Sequence, residues 1–285
     1  MIPVPFDYEA PVSLDEALSL LASAADREVK VLAGGQSLLP VLRLRMAAPE
    51  LVVDLARIGE LRGVRDDGDA IVVGAMTTHD DVVREPLIRQ HALLLAEAAR
   101  TVADPQVRHR GTFGGALVHA DPAGDLPAPA LALDAEFVIA GSDGRRTVPA
   151  SAFFVDLFST AVGEDEVLVE VRVPKHAGWG AHYEKFSPVV QAWSIVAVAA
   201  AVRVEGGLVQ QAKVALTNMG PVPIRAREVE EALVGREASA EAIRNAAALA
   251  GSGTAPMSDA NADEDYRRHL ATVLTGRAVL AAAGV

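Results

Sequence analysis

Two glycine pairs, each with a hydroxyl residue beside it, are the segments of this sequence best suited to bind an anion. The first lies in Ala33-Gly-Gly-Gln-Ser37, after an apolar run, and the second in Gly111-Thr-Phe-Gly-Gly-Ala116. Glycine has no Cβ to obstruct a ligand and readily adopts positive φ. Backbone N–H groups at such bends, and the helix N-terminus that follows, present partial positive charge to a phosphate. The two segments together indicate a clasp that donates hydrogen bonds to phosphates from both sides, with the Ser37 hydroxyl as a further donor.

A carboxylate follows the second glycine pair. Asp125 is close enough along the chain to accept hydrogen bonds from sugar hydroxyls beside a bound phosphate. A single glycine pair after a strand is usually an ordinary turn, and spacing alone leaves that alternative open. His119 and Asp121 are also metal-ligand types, but nothing nearby completes a coordination set with Asp125, so we expect no metal site. The sequence contains neither a G-x-G-x-x-G nor a P-loop pattern.

Composition limits the function classes. The 285 residues carry a formal net charge of −12, which argues against a nucleic-acid surface. The absence of cysteine excludes disulfides, a thiolate nucleophile and any iron–sulfur cluster held by this chain. The most apolar run, Ala192 to Val202, is far short of the roughly 20 residues that span a bilayer, and the N-terminus lacks signal-peptide features. We therefore expect a cytoplasmic chain.

The elements that must position the glycine pairs alternate between strand and helix. Ser13-Leu-Asp-Glu16 is a capping box that predicts the start of a helix. We predict strands over Val29 to Ala33 and Leu51 to Leu55, with a helix over Leu38 to Arg45 between them. This pattern is typical of a small α/β unit.

A second unit is predicted to run to Pro174. Its predicted elements are strands over Ala70 to Ala75, Glu136 to Ala140, Arg146 to Val148 and Val167 to Val173, a helix from His79 capped by Thr77 or Thr78, and a helix over Leu93 to Ala103. The stretch from Gly111 to Pro129 is rich in Gly, Pro and Asp, which predicts loop.

After Pro174 the pattern changes to strands followed by helices. We predict strands over Ser194 to Val204 and Leu208 to Leu216, then three helices, which together indicate an α+β unit. The predicted domains are 1–175, with subdomains of about 1–57 and 58–175, and 176–285.

Four segments in order resemble one protein family. They are "AGGQSLLPVLRLRMAAPELVVDL", "GAMTTHDDV", "VADPQVRHRGTFGG" and "HADPAGDLPA". They are similar to the FAD-binding medium subunit of the molybdenum hydroxylases, a family that includes aerobic carbon monoxide dehydrogenase and the xanthine dehydrogenases. The resemblance implies an α+β fold with a two-subdomain FAD-binding domain of the vanillyl-alcohol-oxidase/PCMH type. A C-terminal domain like that of the carbon monoxide dehydrogenase flavoproteins would follow.

The resemblance also implies which residues bind FAD. Ala33 to Ser37 and Thr112 to Ala116 match the two pyrophosphate loops, Asp125 matches an acidic residue near the ribose and adenine, and Tyr183 and Lys185 match residues near the isoalloxazine ring. A lysine charge there would stabilise reduced flavin. The implied cofactor-binding set is Leu32, Ala33, Gly34, Gly35, Gln36, Ser37, Leu38, Thr77, Thr112, Gly114, Gly115, Ala116, Asp125, Leu168, Tyr183 and Lys185. It includes no catalytic residue and no metal ligand.

The activity implied is electron transfer. A separate large molybdenum subunit would oxidise the substrate, a small subunit with two [2Fe–2S] clusters would relay electrons, and FAD on this chain would pass them to an external acceptor. A dimer of such heterotrimers is usual in the family. Carbon monoxide is the expected substrate, with a purine, an N-heterocycle or an aldehyde as alternatives. A self-contained FAD oxidase and a scaffold that has lost its flavin are the rival interpretations.

Some residues depart from the family pattern. Ala116 stands where the second loop usually has Asn, and Val189 and Ala192 replace charged residues after Lys185. Trp193 could pack against the flavin, but we expect it in the core. His79 is interpreted as a first-turn helix residue or a polar contact on the flavin side. The basic residues Arg100, Arg108, His109 and Arg110 are expected to form a solvated or ion-paired face, beside a loop where an acidic or clustered partner could dock.

Overall fold

The structure is a computed structural model that describes all 285 residues. Its helices are α1 (Leu14–Ser23), α2 (Leu38–Arg43), α3 (His79–Arg84), α4 (Pro86–His91), α5 (Leu93–Thr101), α6 (Pro105–Arg108), α7 (Phe113–His119), α8 (Pro127–Ala132), α9 (Ala150–Phe153), α10 (Arg227–Leu233), α11 (Ala240–Ala247) and α12 (Glu264–Ala283). None of them combines the length and the apolar character needed to cross a lipid bilayer.

The strands form three main sheets and a two-stranded ribbon. They are β1 (Asp7–Glu9), β2 (Val29–Leu32), β3 (Leu51–Asp54), β4 (Val64–Asp67), β5 (Ala70–Gly74), β6 (Glu136–Gly141), β7 (Gly144–Pro149), β8 (Phe154–Asp156), β9 (Ser159–Thr160), β10 (Val167–Pro174), β11 (Gly180–Phe186), β12 (Val196–Glu205), β13 (Leu208–Thr217) and β14 (Ile224–Arg225). Mixed helices and sheets confirm the predicted α+β class.

The first sheet is parallel, with the order β1-β3-β2. The second is antiparallel, with the order β4-β5-β10-β6-β7. Helix α1 begins where predicted, because the Ser13 hydroxyl accepts from the Glu16 N–H and Glu16 Oε2 accepts from the Val12 N–H. Leu14, Ala17 and Leu21 are buried on its inner face, which packs towards β3.

The third sheet, with the order β11-β12-β13-β14, is antiparallel, and its strand β12 is buried on both faces over residues 196–202. Alternate residues of β12 therefore enter two cores. Ala197, Ala199 and Ala201 belong to the core shared with the second sheet and the helices α3, α4, α5, α7, α8 and α9. Val196, Val198 and Val202 pack under α10, α11 and α12. The small residues of β12 let the central core approach the strand closely.

The segment from Gly111 to Pro129 was predicted as loop, and this prediction was wrong, because the segment contains α7 and the start of α8. Thr112 caps α7, with its hydroxyl accepting from the Gly115 N–H, and Pro127 occupies the first position of α8. Glycine inside α7 allows close packing: a Cβ on Gly114 would lie 2.5 Å from the Ala75 Cβ. Tertiary packing thus overrides the poor helix propensity of the glycine pair.

Candidate functional site

The first glycine loop leaves β2 and enters α2 with a run of unused donors. The backbone N–H groups of residues 34–38 donate no hydrogen bond within the chain. The Ser37 hydroxyl makes no capping bond to α2, and Gly35 has a φ of +77°, which turns the chain sharply. Consecutive free N–H groups at a bend form an anion-binding concavity. The geometry fits a phosphate group held by backbone donors.

The two glycine loops lie against each other. A Cβ on Gly34 would lie 2.6 Å from the Gly111 Cα, and one on Gly115 would lie 3.2 Å from the Ala33 Cβ. Gly34 is thus needed where the backbone of the second loop passes, and Gly115 leaves room for the Ala33 side chain. The structure brings together the two segments that the sequence analysis paired.

In the second loop, the N–H groups of residues 113–116 are all used within the chain. The N–H groups of Phe113 and Gly114 donate to the carbonyls of Thr77 and Ala75, and those of Gly115 and Ala116 donate to Thr112. These bonds anchor α7 to the end of β5. The open donors of the clasp therefore come from the first loop, and the second loop acts as its close-packed wall.

Thr77 and His79 pack against the second glycine loop and support it. The Thr77 hydroxyl accepts from the Gly63 N–H at 3.0 Å and donates to the Gly63 carbonyl at 3.1 Å, so it is not free for a ligand. His79 is buried against Gly111, with its Nδ1 unpartnered. Burial, reinforced by the positive charge of Arg108, lowers the pKa of His79 to about 4. His79 is therefore neutral at physiological pH.

Asp125, Tyr183 and Lys185 meet in one buried cluster. The Asp125 carboxylate accepts hydrogen bonds from the Tyr183 hydroxyl at 3.0 Å and the Lys185 ammonium at 2.8 Å. The side chains of Lys185 and Asp125 are 7% and 4% exposed. The three groups therefore share one position, and which part of FAD each of them faces stays a prediction.

Burial governs the charges of this cluster. Desolvation raises the pKa of Asp125, and the attraction and hydrogen bond of Lys185 oppose that rise. The pKa of Tyr183 is raised well above its usual value, chiefly by burial and then by the negative charge of Asp125. Tyr183 is thus a neutral donor, and Asp125 and Lys185 form an ion pair removed from water.

Comparison with known proteins identifies the family. Residues 4–176 match the FAD binding domain of molybdopterin dehydrogenases, and residues 181–282 match the carbon monoxide dehydrogenase flavoprotein C-terminal domain. The chain belongs to the FAD-binding subunits of the molybdenum hydroxylases. The flavin subunit is 43% identical to the carbon monoxide dehydrogenase medium chain of Hydrogenophaga pseudoflava, over 99% of this chain and 98% of that one.

Solved structures agree over the full length. A carbon monoxide dehydrogenase structure from Hydrogenophaga pseudoflava, which lacks the Mo-pyranopterin moiety of the molybdenum cofactor, superposes with a TM-score of 0.96 at 44% identity. Quinoline 2-oxidoreductase from Pseudomonas putida 86 superposes with a TM-score of 0.94 at 34% identity. Each match covers 100% of this chain and 99% of the other. The flavin subunit is therefore part of an oxidoreductase.

The residues present fit FAD. The free N–H groups of residues 34–38 suit a pyrophosphate, which needs donors and no Cβ in its way. Leu32 and Leu38, at the two ends of the first loop, are half-buried. Leu168 is buried in the central core, next to a bulge in β10. Its apolar contact with FAD remains a prediction.

Ser194 and Thr217, which no sequence pattern singled out, complete the Asp125 cluster. The Ser194 hydroxyl donates to Asp125 at 3.0 Å, and the Thr217 hydroxyl lies 3.4 Å from that of Tyr183. Both are polar residues at the ends of apolar strands, Ser194 just before β12 and Thr217 at the end of β13. A polar residue at a buried strand end was the signal that could have found them.

Trp193 was expected in the core, and this prediction was wrong. It is 56% exposed, in the connection between β11 and β12, where Val190 is 87% exposed. Strand pairing stops at Phe186 and Val196, so Trp193 lies outside the sheet. The connection turns inward only at Ser194 and Ile195, which are buried, and leaves Trp193 on the outside.

The other basic and acidic residues near the loops have separate partners. Arg100 pairs with Glu97, and His109 lies 3.4 Å from Asp80. His119 contacts Phe158 and lies 3.9 Å from Asp121, and no group of three or more potential ligands is arranged to hold a metal ion. Arg108 donates to backbone carbonyls, while the exposed Arg110 makes no ion pair.

Proposed function

We propose that this chain is the FAD-carrying electron-transfer subunit of an aerobic carbon monoxide dehydrogenase. Support comes from the full-length similarity to the Hydrogenophaga pseudoflava medium chain, over both matched domains. The observation that carries the cofactor assignment is the run of N–H groups without acceptors at residues 34–38, closed on one side by the second glycine loop.

The proposed FAD-binding set is the one inferred from the sequence. It comprises Leu32, Ala33, Gly34, Gly35, Gln36, Ser37, Leu38, Thr77, Thr112, Gly114, Gly115, Ala116, Asp125, Leu168, Tyr183 and Lys185. Their parts differ: the first loop supplies donors, Thr112, Gly114, Gly115 and Ala116 supply a close wall, and Thr77 positions that wall through its backbone carbonyl. Asp125 has its carboxylate occupied by donors of the chain, so it acts on the ligand through Tyr183 and Lys185.

FAD supplies redox chemistry that accepts electrons singly and delivers them in pairs. The chain's residues bind and orient it. The first loop holds the pyrophosphate with neutral donors, which suits a protein of net charge −12 because no extra cation is needed. The cluster of Asp125, Tyr183 and Lys185 excludes water and keeps one positive and one negative charge fixed. Fixed charges cost no reorganisation when electron density on the ligand changes.

The assembly is part of the proposal. Since the chain has no cysteine, iron–sulfur clusters belong to a small partner subunit, and a large partner carries the molybdenum cofactor. We expect a dimer of heterotrimers in the cytoplasm, with a quinone, oxygen, NAD or a cytochrome as acceptor. The proposed domains remain 1–175, with subdomains of about 1–57 and 58–175, and 176–285. The exposed Arg110, beside the clasp, supports docking of an acidic partner.

A second candidate is the flavin subunit of an N-heterocycle dehydrogenase. The specific observation in its favour is the full-length superposition on quinoline 2-oxidoreductase. The two candidates share the chemistry of this chain and differ in the large subunit. Substrate specificity therefore lies outside the flavin subunit.

The test is to isolate the complex from its native host under gentle conditions. We expect flavin bands overlaid by broad iron–sulfur absorption, one small and one large companion chain on a denaturing gel, and bleaching by carbon monoxide. Bleaching by quinoline but not by carbon monoxide would favour the second candidate. A solitary chain with a clean flavin spectrum would indicate a self-contained oxidase, and a colourless chain that recovers no flavin from added FAD would contradict the cofactor assignment.

A further inference from the structure

The carboxylate of Asp125 is held almost entirely by the C-terminal part of the chain. Asp125 lies between α7 and α8, yet its donors are Tyr183 and Lys185 on β11 and Ser194 before β12. Lys185 also donates to the Thr101 carbonyl at the end of α5, at 3.2 Å. One buried carboxylate thus joins the helices that carry the second glycine loop to the third sheet.

Ser194 is itself fixed by a residue from another strand. The Asn218 side-chain amide, just after β13, donates to the carbonyls of Ser194 at 2.8 Å and Ile195 at 3.2 Å. The Asn218 N–H donates to the Pro122 carbonyl at 2.9 Å, in the segment that leads to Asp125. Asn218 has a φ of +62°, a conformation that asparagine and glycine tolerate best. Asn218 therefore fixes the positions of two groups: the donor Ser194 and the backbone segment that carries the acceptor Asp125.

Few other charges reach Asp125. Lys185 and Tyr183 face it from β11, and α8 carries no titratable residue. On the neighbouring elements, His119 of α7 contacts Asp121, Arg108 of α6 is bonded to the Val102 carbonyl, and Lys213 of β13 pairs with Asp134. At the far end of β12, Arg203 pairs with Glu205. The protonation of Asp125 is therefore controlled by burial, Lys185 and the hydroxyl donors.

We infer that Ser194 and Asn218 are positioning residues for the flavin site, which keep Asp125 ionised and thereby hold Lys185 as one half of a neutral ion pair. The inference rests on the proposed function, in which Lys185 lies beside the flavin. In this arrangement the negative charge of Asp125 offsets the positive charge of Lys185, so the flavin does not experience an uncompensated cation. The C-terminal domain thereby helps to set the reduction potential of the flavin.

Because the net charge of this pair depends on the protonation of Asp125, the flavin midpoint potential should depend on pH. While Asp125 is ionised and Lys185 protonated, the pair contributes no net charge. Removing the Ser194 hydroxyl removes a hydrogen bond that favours the carboxylate, so Asp125 takes up a proton at higher pH. The site then gains a positive charge, which favours the electron-rich reduced flavin and raises its midpoint potential.

The experiment measures the flavin midpoint potential against pH in the complex, together with FAD content and the FAD dissociation constant of the full chain. We expect the Ser194→Ala variant to bind FAD up to about tenfold more weakly than the wild type. As the pH falls, its flavin midpoint potential should rise above that of the wild type. Ser194→Thr, which keeps the hydroxyl, should restore the wild-type curve. The matched control is Ser187→Ala in the same connection, because the Ser187 hydroxyl donates to the Val189 carbonyl and not to Asp125.

Asn218→Gly serves as a second variant if Ser194→Ala folds poorly, since glycine accepts the positive φ while losing the side-chain bonds. It should shift the curve in the same direction. If the midpoint potentials of both variants coincided with those of the wild type at every pH, the inference would be overturned. It would also be overturned if Ser194→Thr lost as much FAD affinity as Ser194→Ala. A wild-type chain that binds no FAD would instead overturn the proposed function.

Discussion

Gly34 and Gly111 belong to different loops and touch through their backbones: a Cβ on Gly34 would lie 2.6 Å from the Gly111 Cα. A methyl group cannot be accommodated at that distance without moving one loop. The contact therefore links the loop with free N–H groups to the loop in which the N–H groups of residues 113–116 donate within the chain.

The first prediction concerns this contact. Gly34→Ala should push the loops apart and weaken FAD binding by about tenfold or more, because overpacking at a fixed backbone costs roughly 1–3 kcal/mol. FAD titration monitored by flavin fluorescence measures the effect. Gly59→Ala is the control, since no atom lies within 4 Å of the added Cβ. Equal FAD affinity in the two variants would contradict the role of the contact.

The second prediction concerns the buried ion pair. Lys185→Met leaves the Asp125 carboxylate buried without its counter-ion, which typically costs about 3–5 kcal/mol. Since the pKa of Asp125 in the folded chain is already raised, and rises further without Lys185, this cost is smallest at low pH and grows as the pH rises through that pKa. Urea unfolding at pH 5 and pH 8 measures both features.

Lys175→Met is the control for the ion pair. Lys175 pairs with Asp66 at 2.8 Å, but Asp66 is half exposed, so water can replace the partner. We expect a much smaller loss, with little dependence on pH. A Lys185→Met variant as stable as the Lys175→Met variant at pH 8 would show that Asp125 is not ionised in the folded chain.

The sequence predicted the local elements well and the cluster around Asp125 poorly. Strand β2, the turn at Gly34 and helix α2 follow from an apolar run, a glycine pair and a return to apolar residues, all within one segment. Asp125 meets Lys185 and Ser194 only because the third sheet packs on α5 and α8. No local pattern encodes a hydrogen bond between residues 60 positions apart.

The exposure of Trp193 and the hydrogen bonds within the second glycine loop have related causes. Trp193 is apolar, but its place in a hairpin connection overrides its hydrophobicity. The glycines at 114 and 115 looked like a phosphate loop, yet capping by Thr112 and contacts with β5 use their N–H groups. In both cases tertiary context decided what a residue type could do.

The third prediction concerns Arg267, which is buried in α12 with its side chain 2% exposed. It donates to the Ile195 carbonyl at the start of β12 and pairs with Asp259 at 2.7 Å. Arg267→Ala should lower the free energy of unfolding by about 2–4 kcal/mol, through lost hydrogen bonds and a cavity. Urea unfolding followed by circular dichroism measures this loss.

The neighbouring Arg268 provides the control for Arg267. Its pairs with Glu264 and Asp265 are exposed, so Arg268→Ala should change stability by no more than about 0.5 kcal/mol. If the two alanine variants unfolded at the same urea concentration, the buried arginine would not be needed to join α12 to β12.

The last prediction concerns acid stability and two buried histidines. Burial, aided by the positive charge of Arg108 near His79 and of Lys213 near His176, lowers the pKa of each to about 4. The unfolded chain, with a histidine pKa near 6.5, binds more protons than the folded chain between these values. Stability is therefore fully present above pH 6.5 and falls as the pH drops towards 4, by roughly 2 kcal/mol for each histidine between pH 7 and 5.

Glutamine variants isolate this contribution, because carboxylates titrate in the same range. The loss of stability between pH 7 and 5 should be smaller in His79→Gln and in His176→Gln than in the wild type, each by roughly 2 kcal/mol. The exposed His269→Gln should lose as much stability as the wild type. Urea unfolding at the two pH values gives the comparison. A wild-type pH dependence retained in His79→Gln would mean that folding does not lower the pKa of this histidine, beside the loop that it supports.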